Sequence, residues 1–274
     1  MDLTLLRHFL KIIERGSLTR AAEECGLSQP ALSQQVARLE KVIGRPVFDR
    51  QGRELRLTEA GRLLEERAQQ LLTLWDNTTE ELLDDDGTGR VVIAAIPTIA
   101  PYFLPPFLTR FRQLRPRAVV EVHEEVTENL VRRCSRGEID IGILALPLET
   151  RDLTIEPLFD EELLLVLPAA HPLASRVIVR SEEIRNHPFV LLDEAHCLTG
   201  RIENFCKQQA LQPLATGRTH QLSTVQELVA LGHGISFIPE MARRLDQDPR
   251  RAYRSLASPA LYRTIAACWN PRRY

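Results

Sequence analysis

The chain has 274 residues, a formal charge of −2, and 44% hydrophobic against 26% charged side chains. That length exceeds a usual single core, so two or three folding units are expected, and the balance excludes a disordered or fibrous chain. No apolar run approaches the ~20 residues of a membrane helix. MDLTLLRHFLKIIERGS shows no secretory cleavage pattern, and five scattered cysteines are too few for a disulfide scaffold, which together predict a cytoplasmic protein with reduced thiols.

In chain order, Leu6, Phe9, Leu10 and Ile13 follow the i, i+3, i+4, i+7 spacing of an amphipathic helix that Gly16 ends. Ser17 or Thr19 can cap a short second helix around TRAAEEC, stopped by Gly26. Ser28 suits an N-cap, and Pro30 falls in the first turn of QPALSQQVARLEKVI, where its missing N–H costs nothing. That third helix buries Leu32, Val36, Leu39 and Ile43, leaving Gln29, Ser33, Gln34, Ala37 and Lys41 on the opposite face, with Arg38 at its margin.

Two helices about a tight turn, the second rich in amides and hydroxyls near its start, fit a helix-turn-helix. Gln can pair bidentately with adenine, and Ser suits several base edges. RPVFDRQGRELRLT then predicts two short strands around Gln51-Gly52, a wing offering Arg50, Arg53 and Arg56 to phosphates. Residues 38–56 carry a net +3, whereas residues 61–90 carry a net −5. A solvated amphipathic helix followed by an arbitrary charged hairpin is the alternative.

AAEECGLSQPALSQQVARLEKVIGRPVFDR…RLTEAG resembles the winged helix-turn-helix of LysR-type transcriptional regulators, over about the first 65 residues. The resemblance implies that the helix beginning after Ser28 enters the major groove of double-stranded DNA. Carried over by position, Gln29, Pro30, Ser33, Gln34 and Arg38 are recognition candidates, and Arg50 and Arg53 meet phosphates. The pattern along the chain divides it into a DNA-binding domain at 1–57, a linker helix at 58–86 and a regulatory domain at 91–274. Cys25, just before the turn, reads as a small buried thiol.

Thr58 is a natural N-cap for the long helix. Leu64, Ala68, Leu71, Trp75, Thr78 and Leu82 recur at 4-3-4-3-4, a heptad seam. Such a helix needs a partner surface: a second copy, giving a homodimer on a two-fold related operator, or the C-terminal region of its own chain. The resemblance implies the dimer, assembled further into a homotetramer. DDDGTGR, Asp84 to Arg90, is the best linker signal.

From Val91 the order is strand VVIAAI, helix PYFLPPFLTRFRQL, strand AVVEVHEE, helix ENLVRRCSRG, strand IDIGILAL. This βαβαβ pattern predicts a parallel sheet with ligand chemistry at the carboxyl ends of its strands. LLLVLP, FVLLD and GISFIP add strands for a second α/β lobe. LysR-type regulators have a two-lobed effector domain similar to periplasmic binding proteins, so the expected fold is a multidomain α/β chain with an N-terminal winged helix-turn-helix. In that family a further helix follows the last strand; TIAACWNPRRY offers none, which leaves the tetramer packing open.

HCLTGRIENFC, His196 to Cys206, sets two thiols nine positions apart. They could be core residues, half of a metal site, or a reactive pair. The spacing lacks the short steps of structural zinc motifs, so no metal and no cofactor are expected. AIPTIAPYFLP, HEEVTENL, LFDEELLL, LLDEAHCL, Cys206 and HGISFIP together are similar to the OxyR-type peroxide sensors, over nearly the whole chain. The resemblance implies Cys197 as the peroxide-attacking thiol and Cys206 as the resolving one. Thr98, Thr127, His196 and Arg263 become the peroxide pocket, with the threonines bonding peroxide oxygens and Arg263 stabilising anionic charge. A peroxide-reactive thiolate forms a sulfenic acid that a second thiol traps as a disulfide.

If residues 198–206 are helical, the two Cα atoms lie roughly 13 Å apart, beyond the ~7 Å that a disulfide tolerates. The segment must then unwind, moving Ile202 and Phe205 and coupling oxidation to oligomer geometry. Cys134 and Cys268 read as core, and His220 and His233 as ordinary histidines. The implied partners are DNA, further copies of the chain, hydrogen peroxide and RNA polymerase. An organic effector between the lobes is the rival reading; a thiol peroxidase fits poorly with the DNA-binding region.

Overall fold

The computed structural model describes residues 2–49, 55–83, 89–150, 152–194, 196–209 and 214–271. The chain splits into two compact units, 1–86 and 87–274.

In the first unit Asp2 accepts from the Thr4 amide at 3.0 Å to open α1 (Leu3–Arg15), and Gly16, left-handed at φ 59°, closes it. Ser17 caps α2 (Leu18–Glu24), and Ser28 caps α3 (Gln29–Ile43) by accepting from the Ala31 amide. Leu6, Phe9, Ile12, Ala21, Ala22, Leu32, Val36 and Leu39 form the core. Leu10, Ile13 and Ile43 pack at its edge rather than inside it. The wing strands β1 (Phe48–Asp49) and β2 (Arg56–Leu57) pair antiparallel, with Phe48 opposite Leu57. The Phe48 ring lies 5.4 Å from that of Phe9, which fastens the wing to the helices.

Thr58 opens α4 (Glu59–Leu83), accepting from the Gly61 amide at 3.0 Å and donating to the Pro46 carbonyl at 2.7 Å. Only glycine fits at position 61, because a Cβ there would lie 2.1 Å from the Val47 carbonyl oxygen. Along α4, Leu64, Ala68 and Leu72 turn toward the helix-turn-helix core. Leu63, Leu71, Leu74, Trp75 and Leu82 are exposed. The predicted seam is therefore corrected at Leu64 and Ala68: the first turns of α4 cover their own domain, and the outward residue there is Leu63.

The second unit begins with β3 (Arg90–Ala95), α5 (Ala100–Leu114), β4 (Val119–Glu124), α6 (Thr127–Ser135) and β5 (Ile141–Ala145). The three strands are parallel in the order β4-β3-β5. Covered on both faces, β3 reads as a continuous apolar run rather than an alternating one. β6 (Thr154–Pro168) runs through both lobes. Its first half pairs with β12 (Tyr262–Trp269), which lies antiparallel between β6 and β5. Its second half pairs with β10 (Ser236–Pro239) and β11 (Arg251–Leu256), and β7 (Ile178–Val179) edges β11.

In the second lobe β8 (Pro188–Leu192) and β9 (Leu214–Thr219) are parallel, and Phe189 bridges to Ile235 just before β10. Around them stand α7 (Cys197–Gln208), α8 (Leu222–Ala230) and α9 (Glu240–Leu245). Each lobe has its own core. Ile93, Ile99, Leu130, Leu144 and Ile265 centre the first, and Leu165, Phe189, Ile202, Phe205 and Phe237 the second. The carboxyl ends of β3 and β4 face the start of α7, as expected for a ligand-binding α/β sheet.

Candidate functional site

On α3, Gln29, Pro30, Gln34 and Arg38 are exposed and Ser33 is half-buried, opposite the buried Leu32, Val36 and Leu39. Helix-turn-helix proteins lay a polar face of this kind in the major groove. Gln35 is turned inward, its side-chain oxygen against His8 Nδ1. Arg50, Arg53 and the Gln51-Gly52 turn lie outside the described residues.

The thiols lie on one helix. Cys197 is the first residue of α7. It is half-buried against the first lobe's core. Cys206 is fully buried in the second lobe's core. Burial, with Glu203 nearby, pushes its thiol up to about 11, so it stays protonated at neutral pH. Nine residues of helix rotate one side chain roughly half a turn from the other and separate them by about 13 Å. Both cysteines are free thiols.

His196, Cys197, Thr98 and Thr127 meet at one narrow crevice, closed by Ile96, Pro97 and Val126. His196 is 8% exposed, and burial holds its imidazole below the usual histidine value despite Asp193 and Glu124. It is therefore neutral at pH 7, and its ring hydrogen-bonds to the His220 backbone. Thr127 does not cap α6. Val126 holds that position, and the buried Thr127 Oγ1 has no hydrogen-bond partner. A buried hydroxyl left unsatisfied is costly unless something fills it.

Arg263 corrects the expectation of a cation available to the pocket. At 2% exposure, its Nε donates to Glu161 Oε2 at 2.7 Å. Its Nη1 donates to Thr98 Oγ1 at 2.8 Å and its Nη2 to the Thr98 carbonyl at 3.0 Å. Glu161, 4% exposed, thus neutralises the guanidinium and also accepts from the Met241 amide at the start of α9. Arg263 acts by orientation. With its oxygen occupied as an acceptor, the Thr98 hydroxyl has its own proton to donate into the crevice. Sequence reasoning missed Glu161, in a stretch used only for the resemblance, and His220, which lines the outer crevice with Tyr102, Glu124 and Ser223. That outer space is about 200 Å³. On the other side of Cys197 a groove of about 560 Å³ opens along Gly200, Arg201, Asn204 and Tyr262.

Residues 3–62 match the bacterial regulatory helix-turn-helix protein, lysR family, and residues 84–274 match the LysR substrate binding domain. The chain is 35% identical over 270 residues to a probable hydrogen peroxide-inducible genes activator of Streptomyces viridosporus, covering 97% of this chain and 86% of the relative. Full-length OxyR of Pseudomonas aeruginosa, as a cysteine-to-aspartate variant, superposes with a TM-score of 0.75 at 29% identity over 98% of this chain and 89% of that one. A Corynebacterium glutamicum OxyR cysteine-to-serine variant with hydrogen peroxide bound superposes with a TM-score of 0.65 at 29% identity, over 98% and 86%. Among the described residues no helix is long and apolar enough to cross a membrane. A winged helix-turn-helix, a long helix and a two-lobed α/β unit follow one another in the order of these relatives, and the chain belongs to the LysR family of DNA-binding transcriptional regulators.

Proposed function

We propose that this regulator senses hydrogen peroxide through Cys197, with Cys206 as resolving thiol. The observation that carries the proposal is the crevice beside Cys197, where the unpartnered Thr127 hydroxyl and the oriented Thr98 hydroxyl converge. The crevice is too narrow for a water molecule as it stands, so peroxide enters as its walls part; the two hydroxyls then hold its oxygens while the Cys197 thiolate attacks one of them. Cys197 becomes a sulfenic acid and hydroxide leaves. Cys206 then attacks that sulfur, forming the disulfide and releasing water.

Polarity follows from burial, since a thiol raised to about 11 inside the second core is a poor first nucleophile. Closing the disulfide unwinds α7 and withdraws Ile202 and Phe205 from the second core. The change passes to the oligomer, to the operator register and to RNA polymerase.

Mass spectrometry after one equivalent of peroxide tests this, comparing wild type with Cys206→Ser. The expected products are a Cys197–Cys206 disulfide in the former and a Cys197 sulfenic acid in the latter. Unmodified thiols in protein that remains folded would overturn it.

A further inference from the structure

Outside the crevice the first lobe holds a second pair of thiols that the proposed sensing step does not use. Cys134, on α6, and Cys268, on β12, are both fully buried. They meet above Gly142 of β5, which is paired in register with Cys268. A Cβ on Gly142 would lie 2.5 Å from Leu130 Cδ2, 2.8 Å from Cys268 Sγ and 3.1 Å from Cys134 Sγ, so both sulfurs, with the Leu130 methyl, crowd the same space above the glycine. Cys134 hydrogen-bonds to Cys268, which with the Gly142 backbone holds the Cys268 thiol below its usual value despite burial. The chain beside each sulfur is tied as well, because Asn270 Nδ2 donates to the Ser135 carbonyl at 2.9 Å.

We infer that Cys134 and Cys268 form a second redox couple, closing to a disulfide between α6 and β12 when peroxide is in excess. In contrast to Cys197 and Cys206, no helix has to unwind to bring these sulfurs together. The Cys268 thiolate attacks a peroxide oxygen, hydroxide leaves, and a sulfenic acid remains. The Cys134 thiol attacks that sulfur and a water is expelled. Two electrons pass from the sulfurs to the peroxide, so one hydrogen peroxide and two thiols give one disulfide and two waters. Burial sets the rate, because oxidant reaches the two sulfurs only when the packing around them opens locally. Closure ties the C-terminal part of α6, whose first residue is Thr127, to the far end of β12, which carries Arg263 near its start.

The test is non-reducing peptide mapping of the full chain after a stepwise hydrogen peroxide titration, on wild type and on Cys197→Ser. A peptide linked through Cys134 and Cys268 is expected in both proteins. It should appear roughly tenfold or more slowly than Cys197 oxidation in wild type, because of the opening step, and should vanish in Cys134→Ser. Recovery of both residues as reduced thiols, or as separate sulfinic acids, in wild type that stays folded by circular dichroism would overturn the inference. Because Cys197→Ser removes the proposed sensing thiol, and the two couples give different peptides, failure of either proposal is read without the other.

Discussion

Thr127 separates a structural hydroxyl from a ligand-binding one. Its Oγ1 is buried without a partner, so Thr127→Val should leave stability within about 0.5 kcal/mol of wild type, or raise it. It should also slow Cys197 oxidation about tenfold, the worth of one hydrogen bond of ~1.4 kcal/mol. Stopped-flow peroxide kinetics and a urea melt measure the two effects, and an unchanged rate would remove Thr127 from the pocket. Glu161 behaves oppositely. Glu161→Gln leaves the Arg263 guanidinium buried without its carboxylate, and chemical denaturation should show a loss of about 3 kcal/mol; a loss below about 1 kcal/mol would mean that Arg263 reaches solvent. On α3, Gln34→Ala should cost roughly 1–3 kcal/mol of discrimination at one operator position, and unaltered discrimination in a binding titration would take Gln34 off the reading face. His196 adds a pH dependence whose sign follows from its lowered value. The unfolded chain takes up the proton first as pH falls below about 6.5. The contribution of neutral His196 is therefore present above that pH and is lost toward its folded value. His171, also lowered by burial and by His187, acts in the same direction.

At the scale of the element, α7 sets the timing of the proposed switch. Gly200 sits inside it with open space around its missing side chain, and a helix-interior glycine is about 1 kcal/mol less favourable than alanine. Gly200→Ala should stabilise the reduced protein by about that amount and, by holding α7 wound, prolong the Cys197 sulfenic acid before Cys206 reaches it. Trapping the sulfenic acid with dimedone over time reads this; a disulfide rate equal to wild type would mean that α7 need not unwind. Elements whose signal is local were legible in the sequence: the caps at Ser17, Ser28 and Thr58, the βαβαβ alternation, and the apolar faces of α1 and α3. Pairing at long range was not. No periodicity places β12 between β5 and β6, makes β6 a member of both lobes, or turns Glu161 inward from an acidic stretch. Leu64 misled for a related reason, since one 4-3-4 pattern serves both an intermolecular seam and contact with the helix-turn-helix core. At the site, the resemblance named residues that line one crevice, whereas the Glu161 partner of Arg263 and the unpartnered Thr127 hydroxyl depend on neighbours far along the chain.

At the scale of the molecule, α4 leaves Leu71, Leu74, Trp75 and Leu82 in solvent, more apolar surface than one amphipathic helix keeps without a partner. LysR regulators form oligomers, and Trp75→Lys should shift this chain toward monomer in sedimentation velocity while leaving the unfolding of the regulatory unit unchanged. An unshifted distribution would place the interface elsewhere. The path of β12 bears on the birth of the protein. The first lobe is begun by residues 90–145 but finished by residues 262–269, which fill the gap between β5 and β6. On the ribosome the helix-turn-helix can fold early, as N-terminal domains do. The first lobe instead waits with an open sheet edge until residues 262–269 have emerged, and during that interval nascent chains are exposed to mispairing and to the chaperones that shield unpaired strands.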